Sequence, residues 1–383
     1  MLHRNIVWTA MPRPSAATLR RPLRRPVIAD PLVETTLPFA NPGGLRMLTF
    51  VPDRLAPGAP LVVVLHGCTQ TAGGYDLAAG WSALATTHGF ALLFPEQTRA
   101  NNANGCFNWF EVGDTRRGDG EVASIAAAVT AVVSHHKLDP SRVFVTGLSA
   151  GGAMANSCLA AYPDVFAGGA VIAGLPAGAA SGMGEAFAAM SNPTALSSSA
   201  LGDKVRAAST FDGPWPVVTV WHGSADRTVN PGNGIATAEQ WADVHGAVVV
   251  NGDDHTVWRN AAGVAVVEFV EIAGMGHGTP IDSRNGGTPA PFMLDVGIGS
   301  SARIIAFWGI AEGIVRPQRS ATPSPPDDKP TTGPRRSLSR RVDVGKVIAD
   351  ALRAAGIHFR GRIDRIVQFN RLTVRYLFLV GVQ

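Results

Sequence analysis

A serine bracketed by glycines, Gly147-Leu148-Ser149-Ala150-Gly151, lies between the apolar run Arg142-Val143-Phe144-Val145-Thr146 and a helix-compatible stretch, Gly152 to Tyr162. A strand that turns sharply into a helix at a serine is a nucleophile elbow, in which small neighbours tolerate strained backbone and leave Oγ exposed. With 43 glycines among 383 residues, a chance Gly-x-Ser-x-Gly is common, so the flanking strand and helix carry the inference. They point to a mostly parallel sheet whose strand ends support a reacting centre.

An elbow serine needs an acid and then a histidine, each at the end of a later strand. Pro216-Val217-Val218-Thr219-Val220-Trp221 reads as a buried strand and runs into His222-Gly223-Ser224-Ala225-Asp226, which makes Asp226 the candidate acid. Val267 to Ile272 is another strand, followed by Ala273-Gly274-Met275-Gly276-His277-Gly278, whose glycines allow His277 to turn back over the sheet. A neutral imidazole would take the serine proton and return it to the leaving alcohol, while the carboxylate fixes its tautomer. Asp203 lies too far upstream of the strand end for that role, and Asp254 and His255 form a rival pair in the segment 253–264. His277 is preferred because its loop directly follows a strand.

Charge that develops on the carbonyl oxygen must be met by preorganised donors. Leu61-Val62-Val63-Val64-Leu65 leads into His66-Gly67-Cys68-Thr69-Gln70, the position of the oxyanion loop in this architecture, so the backbone N–H groups of Cys68 and Ala150 are the candidate donors. His66 is read as a structural group. Phe107, Asn108 and Trp109, in a loop after the strand Phe90 to Phe94, are the candidate substrate-binding residues, with the Trp109 indole facing the ester chain. Tyr75 and Trp81 read as packing residues.

The strands Leu61–Leu65, Phe90–Phe94, Arg142–Thr146, Gly169–Ala173, Val217–Trp221 and Val266–Ile272 alternate with helical patterns, the signature of an α/β fold with helices on both faces. Thr35–Phe39 and Leu45–Val51, around Asn41-Pro42-Gly43-Gly44, predict an opening hairpin. Segment 182–211 predicts short helices over the site mouth, and 253–264 a hairpin before the last strand. Residues 1–30 are an Arg/Pro/Ala-rich arm, 31–315 the catalytic domain, 316–341 a Pro/Ser/Arg linker, and 342–383 a basic extension with one amphipathic helix. The arm carries +5 and the residues after 315 carry +9, against +4 for the whole chain, so the body is acidic at −10.

Four segments together resemble the poly(3-hydroxybutyrate) depolymerase-like esterases, a family similar in turn to feruloyl and acetylxylan esterases. They are Leu65-His66-Gly67-Cys68-Thr69-Gln70-Thr71-Ala72, Cys106-Phe107-Asn108-Trp109-Phe110, Gly147-Leu148-Ser149-Ala150-Gly151-Gly152-Ala153-Met154 and Phe292-Met293-Leu294-Asp295-Val296-Gly297. The similarity spans roughly residues 35–310 and implies a cofactor-free α/β-hydrolase with Ser149, Asp226 and His277 as triad. It also favours a Cys68–Cys106 disulfide. Cys158 is read as a small buried apolar residue.

The resemblance implies hydrolysis of esters of short hydroxyacids, their oligomers or polyesters, with a feruloyl- or acetylxylan-type ester as the alternative. From a different class, the basic tails suggest a protein that binds a polyester granule or another anionic surface, with hydrolysis secondary. Nucleic acid is not an expected partner. Phosphate-loop and dinucleotide fingerprints are absent, and the neighbours His135 and His136 are expected to diverge into solvent rather than bind metal. Residues 1–30 lack the apolar stretch of a secretory signal, so the expectation is a cytoplasmic protein by default, although the family resembled includes secreted enzymes.

Overall fold

The computed structural model describes residues 31–251 and 255–311. The arm 1–30, Asp254, the linker and the C-terminal extension lie outside the described residues.

Ten strands form one sheet: β1 (Val33–Glu34), β2 (Arg46–Phe50), β3 (Leu61–Leu65), β4 (Ala91–Glu96), β5 (Val143–Leu148), β6 (Gly168–Ile172), β7 (Val217–Gly223), β8 (Val248–Asn251), β9 (Thr256–Arg259) and β10 (Ala265–Ile272). Their spatial order is β1-β2-β4-β3-β5-β6-β7-β10-β9-β8. From β4 to β10 every pairing is parallel, and the two strands at each edge run antiparallel. The six expected strands are all present, with ends shifted by a residue or two.

The helices are α1 (Ala72–Ala79), α2 (Trp81–His88), α3 (Val112–Thr115), α4 (Gly120–His136), α5 (Ala150–Ala161), α6 (Met183–Ser191), α7 (Ser198–Ala207), α8 (Gly232–Val244) and α9 (Ser300–Phe307). Side chains alternate across a strand, so an apolar run in a covered sheet feeds two cores. Leu61, Val63 and Leu65 pack with Val129 of α4, Met154 of α5 and Trp241 of α8. Val62 and Val64 pack on the other face with Tyr75, Trp81 and Ile304 from α1, α2 and α9. Each fully buried Val or Leu contributes roughly 1.5–3 kcal/mol over leaving it in water. Among the described residues no helix is long and apolar enough to cross a membrane.

Three expectations are corrected. The opening hairpin pairs only Val33–Glu34 with β2; its 41–44 turn is closed by Gly44 N–H to Asn41 O and is fastened outward, Gly43 N–H donating to Ser124 Oγ of α4 and Gly43 O accepting from Asn101 Nδ2 in the loop after β4. The late hairpin begins earlier than expected, since the β-branched run Val248-Val249-Val250 forms β8 and pairs with β9 at the sheet edge. His135 and His136 do not diverge; their rings meet edge to face at 4.6 Å. The short helices expected in 182–211 form as α6 and α7, and their hydrogen bonds tie them to α8 and the loop before it. Gln240 Nε2 donates to Leu201 O, Asn230 N–H to Met190 O and Asn233 Nδ2 to Ala189 O.

Candidate active site

Ser149 stands where β5 becomes α5, at φ 57° and ψ −117°, a backbone region that costs a side-chain-bearing residue about 1–3 kcal/mol. The turn is held open by hydrogen bonds on both sides, from Ser149 N–H to Ile172 O and from Ala153 N–H to Ser149 O.

The loops after β7 and β10 are stitched together. Ser224 N–H donates to Ile272 O, Ala225 N–H to Met275 O and Gly274 N–H to Ser224 Oγ. Gly223 permits this approach, because a Cβ there would lie 2.3 Å from Met275 O. The result brings His277 between the other two groups, with Nε2 2.8 Å from Ser149 Oγ and Nδ1 2.7 Å from Asp226 Oδ2. Nδ1–H donates to the carboxylate, which leaves Nε2 to accept the hydroxyl proton.

Asp226 is buried; Oδ1 receives the N–H groups of Thr228 and Val229, Oδ2 receives His277 Nδ1, and His222 Nε2 lies 3.2 Å from Oδ2. Burial pushes its carboxyl up, but the hydrogen bonds from His222 and His277, the His277 charge and the Val229 N–H outweigh it and hold the group well below the usual carboxylate range. The phenyl ring of Phe292 meets the His277 ring edge-on at 6.0 Å, so the Phe-Met-Leu-Asp segment braces the imidazole.

The oxyanion loop is organised from behind. His66 Nδ1 donates to Gly67 O at 2.7 Å, Gln70 N–H donates to the same carbonyl, and His66 Nε2 accepts from Gln97 N–H. The peptide is trans, so fixing the Gly67 carbonyl on one side turns the Cys68 N–H to the other. Among the described residues that N–H has no acceptor, and Ala150 N–H opens α5 with none. Burial lowers the pKa of His66, and both ring nitrogens serve backbone groups, a structural task.

Cys68 and Cys106 are bridged, and Cys158 is free and buried. The bridge fastens the oxyanion loop to the aromatic loop. Within that loop the expectation for Phe107 is overturned: it is 0% exposed and lies against His66 at 5.1 Å, with no surface for a substrate. Asn108 accepts from Asn102 Nδ2, and its N–H donates to Glu121. Trp109 keeps a narrow exposed edge, 8%, and packs edge-on against Phe110. The rival His255 is turned to Glu268, with Nε2 3.7 Å from Oε1, and Asp203 pairs with Arg206 at the surface.

Two groups were not singled out in the sequence. Glu121, fully buried at the start of α4, accepts from Gln97 Nε2 at 2.5 Å and Asn108 N–H at 2.9 Å. Burial and the nearby Asp114 charge push its carboxyl up to about 8. His222, behind Asp226, is the other. Among the described residues no group of three or more His, Cys, Asp or Glu could hold a metal ion.

The sequence profile of the family described as Esterase PHB depolymerase matches residues 47–261. Poly(3-hydroxyalkanoate) depolymerase C of Paucimonas lemoignei is 48% identical over 282 residues, 70% of this chain and 68% of that protein. Acetylxylan esterase A of Talaromyces purpureogenus is 31% identical, over 70% of this chain and 72% of its own. Among solved structures, acetyl xylan esterase from Aspergillus awamori aligns with a TM-score of 0.60 at 25% identity, over 72% of this chain and 100% of that one.

Proposed function

Since the chain belongs to the PHB depolymerase esterase family and is a carboxylic ester hydrolase of the serine type, we propose that Ser149, His277 and Asp226 cleave esters of short hydroxyacids, their oligomers or polyesters. The observation that carries this reading is the unbroken series from Ser149 Oγ through His277 to Asp226, with hydrogen bonds of 2.8 and 2.7 Å.

Ser149 Oγ attacks the ester carbonyl while His277 Nε2 takes its proton. The carbonyl oxygen, now negative, is met by the N–H groups of Cys68 and Ala150. The bond to the alcohol oxygen breaks as His277 returns the proton to it, so that an alcohol departs and the acyl group remains esterified to Ser149. Water, deprotonated by His277, then releases the acid and restores the serine. Trp109 contributes its exposed edge to the acyl chain.

Identity favours the hydroxyalkanoate ester, at 48% against 31% for the acetylxylan esterase. The structural match to an acetyl xylan esterase supports an acetyl ester as the second reading. The basic tails, opposite in charge to the body, support contact with an anionic surface.

Hydrolysis of hydroxybutyrate oligomers, acetylated xylan, feruloyl esters and p-nitrophenyl esters of increasing acyl length tests the proposal. Hydroxybutyrate oligomers and short acyl esters should be turned over fastest, and Ser149→Ala should abolish turnover while leaving thermal unfolding unchanged. Acetylated xylan as the best substrate would establish the second reading. An active Ser149→Ala protein would overturn both.

A further inference from the structure

His222 is the penultimate residue of β7 and is completely buried. Its Nε2 lies 3.0 Å from Val229 O and 3.2 Å from Asp226 Oδ2. A carbonyl can only accept, so the ring must carry a proton on Nε2. Among the described residues Nδ1 has no hydrogen-bond partner. It faces α8 at Gly234, where an added Cβ would lie 2.9 Å from Nδ1 and 3.0 Å from the His222 Cβ. A proton on Nδ1 would therefore be a buried donor without an acceptor, which is costly, and the geometry selects the Nε2–H tautomer.

We propose that His222 is a positioning residue for the catalytic acid, its Nε2–H clamping Asp226 Oδ2 and Val229 O together so that the carboxylate keeps the rotamer that meets His277 Nδ1. This rests on the assignment of Asp226 as the acid of the proposed triad. The clamp closes the 226–229 turn from the side opposite the Thr228 and Val229 N–H groups, which hold Oδ1. Oδ2 is thereby shared between two imidazoles, one that reacts and one that does not.

The titratable groups around the pair are His277 from the loop after β10, Glu271, which stands beside His222 in the β7–β10 register, and Arg227, the next residue along the chain. Losing the His222 donor makes Asp226 easier to protonate. That moves the acidic limb of kcat/KM to higher pH.

The test compares His222→Met with His222→Gln, side chains of similar length of which only glutamine can present an N–H to Oδ2. His222→Met should lower kcat roughly ten- to a hundredfold with KM little changed, the scale of a lost hydrogen bond to a charged group. It should also raise the acidic limb by roughly half a pH unit or more. His222→Gln should recover most of kcat and the original limb. In an Asp226→Asn background His222→Met should cost little further, because the two residues act as a unit.

Equal behaviour of the Gln and Met variants, or an unmoved limb, overturns the proposal. An Asp226→Asn enzyme with full activity overturns the acid assignment beneath it instead. Nitrogen NMR of the histidine rings in the unaltered protein tests the tautomer without any substitution: a His222 proton on Nδ1 rather than Nε2 rules the clamp out.

Discussion

At the scale of single residues, the elbow glycines serve close approach rather than unusual backbone angles, and the strained residue is Ser149 itself. A Cβ on Gly147 would lie 2.4 Å from Gly151 O, and one on Gly151 would lie 2.4 Å from His66 O and 2.5 Å from Leu65 O. All are backbone atoms, in α5 for Gly151 and at the end of β3 for Leu65 and His66, and cannot swing aside. Gly151→Ala should therefore destabilise the protein by about 1–3 kcal/mol or more. It should also lower kcat, because the displaced His66-Gly67 segment carries the Cys68 N–H. Thermal unfolding and initial rates check both, and an unchanged melting temperature would mean that the turn has room. The meeting of Ser149, Asp226 and His277 was legible in the sequence because each lies in the small-residue turn that follows an apolar strand. Phe107, His222 and Glu121 were not. Whether an aromatic in a loop faces solvent or packs beneath His66, and which histidine reaches Oδ2, depends on packing between segments far apart in the chain.

At the scale of elements, the parallel centre of the sheet was readable because strands covered on both faces are continuously apolar. The edges were less so: β1 pairs with β2 over two residues only, and β8 forms ahead of the segment expected to make the late hairpin. Helix α4 shows how an element beyond the reacting atoms orders the site. Glu121 in its first turn fixes Asn108 and Gln97, and Gln97 N–H in turn meets His66 behind the oxyanion loop. Its carboxyl titrates from 4.5 when unfolded to about 8 when folded, so across that interval the folded state holds the extra proton. Stability contributed by this group is full below the unfolded value and falls as pH rises through the folded one. Between about pH 5 and about pH 9 the loss is on the order of a few kcal/mol. Glu121→Gln, which keeps the shape but cannot ionise, should show a flatter melting temperature across this range and exceed the unaltered protein at the alkaline end. Parallel curves for the two proteins would count against a buried, proton-bearing Glu121.

At the scale of the whole molecule, charge is divided against itself: the body carries −10, while residues 1–30 and those after 315 carry +5 and +9. An acidic body is repelled by an anionic surface, so any attraction to one must come from the tails, an electrostatic attraction that salt screens over about 8 Å at physiological ionic strength. The groups proposed to react, Ser149, Asp226 and His277, all lie between the tails. A protein spanning residues 31–315 should therefore hydrolyse soluble short-chain esters with kcat and KM close to those of the full chain. It should fail to adsorb to vesicles or particles bearing anionic groups, whereas the full chain should adsorb at low salt and release as salt is raised. Co-sedimentation across a salt series, run beside a soluble-ester assay, measures both properties on the same preparations. Salt-independent adsorption by the shortened protein would move the contact onto the body, and loss of soluble-ester turnover on shortening would make the terminal segments part of the catalytic fold.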